Sequence, residues 1–274
     1  MELHVVRQEP RLLRLALAGR AGTGKTYSAL LLAYGITGDW GKVALIDTEQ
    51  RSASLYAHLG PFTTVQIGRP FHPSRFYEAV DLCEDAGKEV IILDSLSSEW
   101  AGEGGVREML DGPGREAALE EHRCFLNLLS DLKAHIICTM RSRQHLIKRV
   151  ERVATYWEVL ESPVQEEGIE YGFTTVLKLD TRQHYHVVKD LSGAFKAEGA
   201  EKLAIEHGAL LAGWCSRTSA VIPDDLQEKI NACRSQEELQ LLLVRDDVDM
   251  AHIEAFTRKR LELEGLSSPP LNAA

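Results

Sequence analysis

No stretch of this 274-residue sequence is long and apolar enough to cross a membrane as a helix. The longest apolar runs, 29–36 (ALLLAYGI) and 90–93 (VIIL), fall far short of the roughly 20 residues a span needs. No membrane partner is expected. The opening MELHVVRQEPRLLR lacks the basic start, apolar middle and small-residue cleavage site of a secretory signal, so a cytoplasmic location is the expectation. Cysteine is scarce: Cys83, Cys124, Cys138, Cys215 and Cys233 are widely spaced, odd in number and form no CxxC pair, which reads as reduced and mostly buried thiols. The ten histidines give no HExxH spacing. His184 and His186 would share one face of a strand, which fits a zinc site or an ordinary sheet face. Positive charge is also in deficit, 31 Lys and Arg against 41 Asp and Glu for a net −10. That excludes a protein that coats nucleic acid by bulk charge, and any such contact must come from a local patch.

Short apolar runs rich in β-branched residues alternate with longer amphipathic ones. Strands are predicted at 12–18, 42–47, 63–67, 89–94 and 135–139, and helices at 25–36, 74–86 and 115–133. This βαβα rhythm predicts an α/β fold: a mostly parallel twisted sheet with helices on both faces. From Tyr171 onward, GFTTVLKLD and HYHVVKD predict an antiparallel pair at the sheet edge. The expected domains are a core over 1–215, a small helical region over 222–265 opened by Pro223, Asp224 and Asp225, and a disordered tail over 266–274. The helical region holds eleven acids against six Lys or Arg, with Leu226, Ile230, Leu239, Leu242 and Leu243 in helical register. It fits a hairpin capping the core, or a surface for a basic partner or neighbouring subunit.

GRAGTGKT, residues 19–26, fits G-x-x-x-x-G-K-[ST] between an apolar strand and an amphipathic helix, the context that motif requires. The phosphate-binding set is Gly19, Ala21, Gly22, Thr23, Gly24, Lys25, Thr26 and Tyr27. Backbone N–H groups would wrap the β-phosphate, Lys25 would reach the β and γ oxygens, and Thr26 would ligate Mg²⁺. VIILDS places Asp94 at the carboxyl end of a buried strand, where it would hold the same metal. Glu49, just past KVALID, emerges at the same sheet edge. There it is either a surface acid or the group that orients and deprotonates the attacking water, and Ser95 leaves no acid directly after Asp94 to compete for that part.

GRAGTGKT, IDTEQ, IILDS and IICTMR together resemble the RecA-like ATPases of homologous recombination, and VVKDLSGAFK, 187–196, is similar to the RecA segment that reaches a neighbouring subunit's nucleotide. The short core, MRSR, SPVQEEGIEYGFTTVLKLD and KD-x-x-G-x-F look like small phage and prophage RecA-core nucleotide-binding proteins, some of which act in single-strand annealing. The resemblance covers about residues 12–215 and implies a RecA-like P-loop core that binds ATP and Mg²⁺. It also implies a ring or filament of identical subunits, single-stranded DNA as the substrate, and a single-strand-binding or other recombination protein as a further partner. By the same resemblance Glu49 matches the catalytic glutamate, Thr139 the γ-phosphate sensor, in place of a longer glutamine, and Lys189 the first of two lysines that contact ATP across the interface, the second falling on Leu191.

RSRQHLIKRVER, 141–152, gathers Arg141, Arg143, Lys148, Arg149 and Arg152 where RecA carries a DNA-binding loop. It reads as that loop, with each phosphate contact releasing counterions, or as a solvated helical face or subunit contact. The Gly-rich 97–114, after Asp94, is expected to be a mobile loop in which Trp100 either stacks a base or packs. A nucleotide-gated assembly or regulatory module with little turnover and no DNA is the rival reading.

Overall fold

The chain is described by a computed structural model over residues 10–112, 114–150, 155–196, 201–216, 229–243 and 253–264. Residues 11–216 make one compact unit. Its strands are β1 (Arg14–Gly19), β2 (Val43–Asp47), β3 (Thr63–Gln66), β4 (Val90–Asp94), β5 (His135–Val150), β6 (Thr155–Pro163), β7 (Thr175–Leu179) and β8 (Tyr185–Asp190). They form an eight-stranded sheet in the order β3-β2-β4-β5-β1-β7-β8, with β6 paired to β5. The strands from β3 to β7 in that order run parallel, and β8 and β6 are antiparallel to β7 and β5. The fold is therefore α/β with a mostly parallel sheet and an antiparallel edge.

The continuous apolar runs of β2 and β4 follow from burial on both faces. On one face Ala16, Ile46, Ile91 and Leu93 pack with Phe76 of α2 (Pro73–Asp85) and Phe125 of α5 (Arg115–Asp131). On the other, Leu15, Leu17, Leu45 and Ile92 pack with Leu30 of α1 (Lys25–Thr37) and Leu211 of α6 (Ile205–Cys215). The two helices meet through glycine, since a Cβ on Gly35 would lie 2.1 Å from the Ile205 carbonyl. Arg14 is buried and donates to the carbonyls of Ser130, Leu132 and Ala134, satisfying acceptors left open at and just beyond the end of α5. Cys83, Cys138 and Cys215 are buried, and burial pushes the Cys138 thiol up to about 12; Cys124 is exposed.

Two expectations are corrected. β5 does not stop at Thr139 but continues to Val150 and turns back as β6, so 141–150 is neither a loop nor a helical face. Its side chains pair across the ribbon with period two, Arg143 opposite Ser162 and Leu146 opposite Val159. The Gly-rich segment after Asp94 folds into α3 (Leu96–Ala101) and α4 (Val106–Leu110). Its glycines serve close packing, because a Cβ on Gly105 would meet the Glu99 carbonyl at 2.4 Å. Trp100 packs on His122, the ring centroids 4.9 Å apart.

A second unit, made of residues 1–10 and 217–274, is described beyond Ser216 over a helical segment at 229–232, α7 (Gln236–Leu243) and α8 (Ile253–Leu263). Ile230, Cys233, Leu239 and Phe256 form its core, with Leu242 packed against them. Leu226, the expected helix start at Pro223 and the tail 266–274 lie outside the described residues.

Candidate functional site

The carboxyl ends of β1, β2 and β4 open on one cleft of about 1100 Å³, lined among others by Gly22, Gly24, Lys25, Thr26, Glu49, Asp94 and Arg141. The turn from β1 into α1 needs glycine, since Gly22 and Gly24 both adopt φ near 80°, where an L side chain is strained. Thr23 is buried and its hydroxyl donates to the Arg20 carbonyl at 2.9 Å, bracing the turn. Lys25 Nζ donates to the same carbonyl at 2.9 Å. Burial lowers the Lys25 ammonium from its ordinary value, against the pull of Asp94 and Glu49. Gly19 and Ala21 complete the turn, and Tyr27, exposed on α1, lies with its ring 6.3 Å from that of Tyr56.

Asp94 is almost fully buried. Thr26 Oγ1 donates to its Oδ2 at 2.7 Å, and Thr139 Oγ1 donates to Oδ1. Burial pushes the carboxyl up from its ordinary range, while these two hydroxyls and Lys25 favour its ionised form. A hydroxyl and a carboxylate side by side suit Mg²⁺, which takes one or two protein oxygens and completes its shell with water and phosphate. Among the described residues there is no cluster of three or more His, Cys, Asp or Glu that could hold a metal by itself. His184 and His186 lie 3.7 and 3.4 Å from Asp180.

Glu49 is held by its own loop. Buried Asp47 accepts from the Glu49 N–H at 2.7 Å and from the Ala53 N–H at 3.0 Å, and Gln50 and Arg51 turn through positive φ. Glu49 Oε1 accepts from Arg141 Nε at 3.0 Å, and Arg141 Nη2 reaches Ser98 Oγ at 3.0 Å.

The structure thus gathers Lys25, Thr26, Glu49, Asp94 and Thr139 at one sheet edge. Thr139 is fully buried beneath Asp94 and does not line the cleft. Lys189 is not brought to that edge. It pairs with Val176, three residues short of the strand end that borders Gly19, and because β8 is antiparallel its carboxyl end lies at the opposite edge. Its Nζ donates to the Glu170 and Tyr171 carbonyls at 3.2 and 3.3 Å. Of the basic ribbon, Arg141 is engaged with Glu49 and Arg149 pairs with Glu158 at 2.7 Å. Lys148 stands opposite Trp157, and Arg149 opposite Tyr156. Arg152 lies outside the described residues. Sequence reading missed Asp47 as the residue that shapes the Glu49 loop; an aspartate two residues before a glutamate at a strand end was the available signal.

The family model described as AAA domain matches residues 11–194. No curated protein matches the chain.

Proposed function

The chain belongs to the AAA domain family of P-loop nucleotide-binding proteins, and from that premise we propose that it binds and hydrolyses Mg·ATP in the cleft between β1, β2 and β4. The observation that carries the reading is the joint placement of Lys25, Thr26, Glu49 and Asp94 around that cleft. The turn at Gly22–Gly24 offers N–H groups and the start of α1 to the phosphates, and Lys25 adds charge to the β and γ oxygens. Thr26 and Asp94 hold the Mg²⁺, which when bound neutralises phosphate charge. Glu49 orients the attacking water and accepts its proton. Thr139 acts indirectly, by fixing which Asp94 oxygen faces Thr26.

The substrate we propose is single-stranded DNA, bound along the β5–β6 ribbon in recombination or annealing. Two features support it: Lys148 stands opposite the Trp157 ring across the ribbon, and Trp157 is exposed. A homo-oligomer, with Lys189 offered to a neighbour's nucleotide, and contact with another recombination protein complete the proposal. The nucleotide-gated module remains a second reading because Glu49 is occupied by Arg141.

Steady-state hydrolysis, with and without single-stranded DNA at two salt concentrations, tests the reading. Stimulation that fades at high salt is expected, as is loss of turnover with ATP binding kept in Glu49→Gln. A Glu49→Gln variant with undiminished turnover would remove the base assignment, and a slow rate indifferent to DNA would favour the gated module.

A further inference from the structure

Arg141 stands at the junction of cleft and ribbon. It is the last β5 residue paired inside the parallel sheet, with Gly19, and Ser142 begins the ribbon. Its backbone N–H donates to Ser97 Oγ at 2.9 Å, and its guanidinium is shared between Glu49 and Ser98. Ser98 Oγ also accepts from Thr48 Oγ1 at 2.8 Å, so one arm of the fork is anchored to the floor of the site. The other arm is not. The Arg141 and Glu49 side chains keep 48% and 38% of their exposure, and an ion pair so wetted contributes little and exchanges readily.

Thr139 is fully buried and committed to Asp94, which leaves no protein group at its position to detect a terminal phosphate. Two residues on, and so on the same face of β5, Arg141 lines the cleft with Lys25. The charge of Arg141 is among those felt at Lys25. A guanidinium offers a planar fork that binds phosphate in two-point fashion, and the γ-phosphate carries more charge than one carboxylate.

We propose that Arg141 is a two-position residue: without a γ-phosphate it masks Glu49, and when one enters the cleft it turns to it and releases the Glu49 carboxylate. ADP, lacking that group, leaves the mask in place. This rests on the reading of Glu49 as the base. Ser98 is the pivot, holding Nη2 while Nε changes partner.

Equilibrium binding of ADP and of a non-hydrolysable ATP analogue to full-length wild type, Arg141→Ala, Arg141→Lys, Glu49→Gln and the Glu49→Gln/Arg141→Ala double variant tests it. Arg141→Ala is expected to weaken the analogue about tenfold or more, the scale of a charge-assisted hydrogen bond, with ADP unchanged. Arg141→Lys should recover part of the preference and serves if the alanine variant melts early. Glu49→Gln should tighten the analogue but not ADP, and that gain should vanish in the double variant. Equal losses for both nucleotides in Arg141→Ala would overturn the proposal. So would a Glu49→Gln gain that survives without Arg141, which is plain relief of repulsion. Failure of the base reading shows separately, in the turnover of Glu49→Gln, since these affinities involve no chemistry.

Discussion

Glu99, one residue beyond the pivot Ser98, is fully buried on α3. Its Oε1 lies 2.9 Å from His122 Nδ1, and His122 Nε2 lies 3.4 Å from the more exposed Glu166. Burial pushes the Glu99 carboxyl up from its ordinary range, and the His122 contact opposes that only in part. A carboxyl whose folded value exceeds its unfolded value stabilises the protein below the unfolded value and loses that contribution as pH rises through the folded one. Glu99→Gln is therefore expected to melt with wild type at about pH 4, near the unperturbed glutamate value, and above it at about pH 8. Melting temperatures across that range check this. A variant that melts lower at the upper end would mean that the ionised Glu99 with His122 is a net stabilising pair.

The ribbon is the element on which the DNA reading stands. Leu146, Trp157 and Val159 are 57–67% exposed, and alternation puts them with Lys148 on one face. That face offers a stacking surface and a cation together. Lys148→Glu and Trp157→Ala should each weaken single-stranded DNA, the first mainly at low salt and the second at any salt, with ATP affinity kept. Fluorescence anisotropy with a labelled oligonucleotide measures both; undiminished DNA affinity in both variants would take the ribbon out of the DNA reading. The ribbon was poorly legible in the sequence, because RSRQHLIKRV carries charges near helical spacing and only its pairing with TYWEVLESP reveals a period of two. The turn into α1 and the ends of β2 and β4 were legible, since two-sided burial writes continuous apolar runs and the turn demands glycine at fixed places. The Arg141–Glu49 pair joins residues 92 apart in sequence, and the reversal of β8 that carries Lys189 away depends on sheet order; neither is a local property.

At the scale of the whole molecule, every described residue lining the nucleotide cleft lies between Arg11 and Ser216, and so do the described residues of both apolar clusters that flank the sheet. The unit beyond Ser216 rests, in its described part, on four buried apolar side chains on or beside short helical segments. Four such side chains alone make a marginal core. The asymmetry predicts that a chain ending at Ser216 melts cooperatively and binds ATP as the full chain does. It also predicts a rise in single-stranded DNA affinity at low salt, because the removed region is the acid-rich one and its loss lessens long-range repulsion of phosphate. Calorimetry, ATP titration and anisotropy on the shortened chain provide the check. Retained folding with lost ATP affinity would show that residues beyond Ser216 complete the site. Unchanged DNA affinity at low salt would show that the acidic region lies too far from the ribbon to be felt within a screening length of roughly 30 Å at 0.01 M salt.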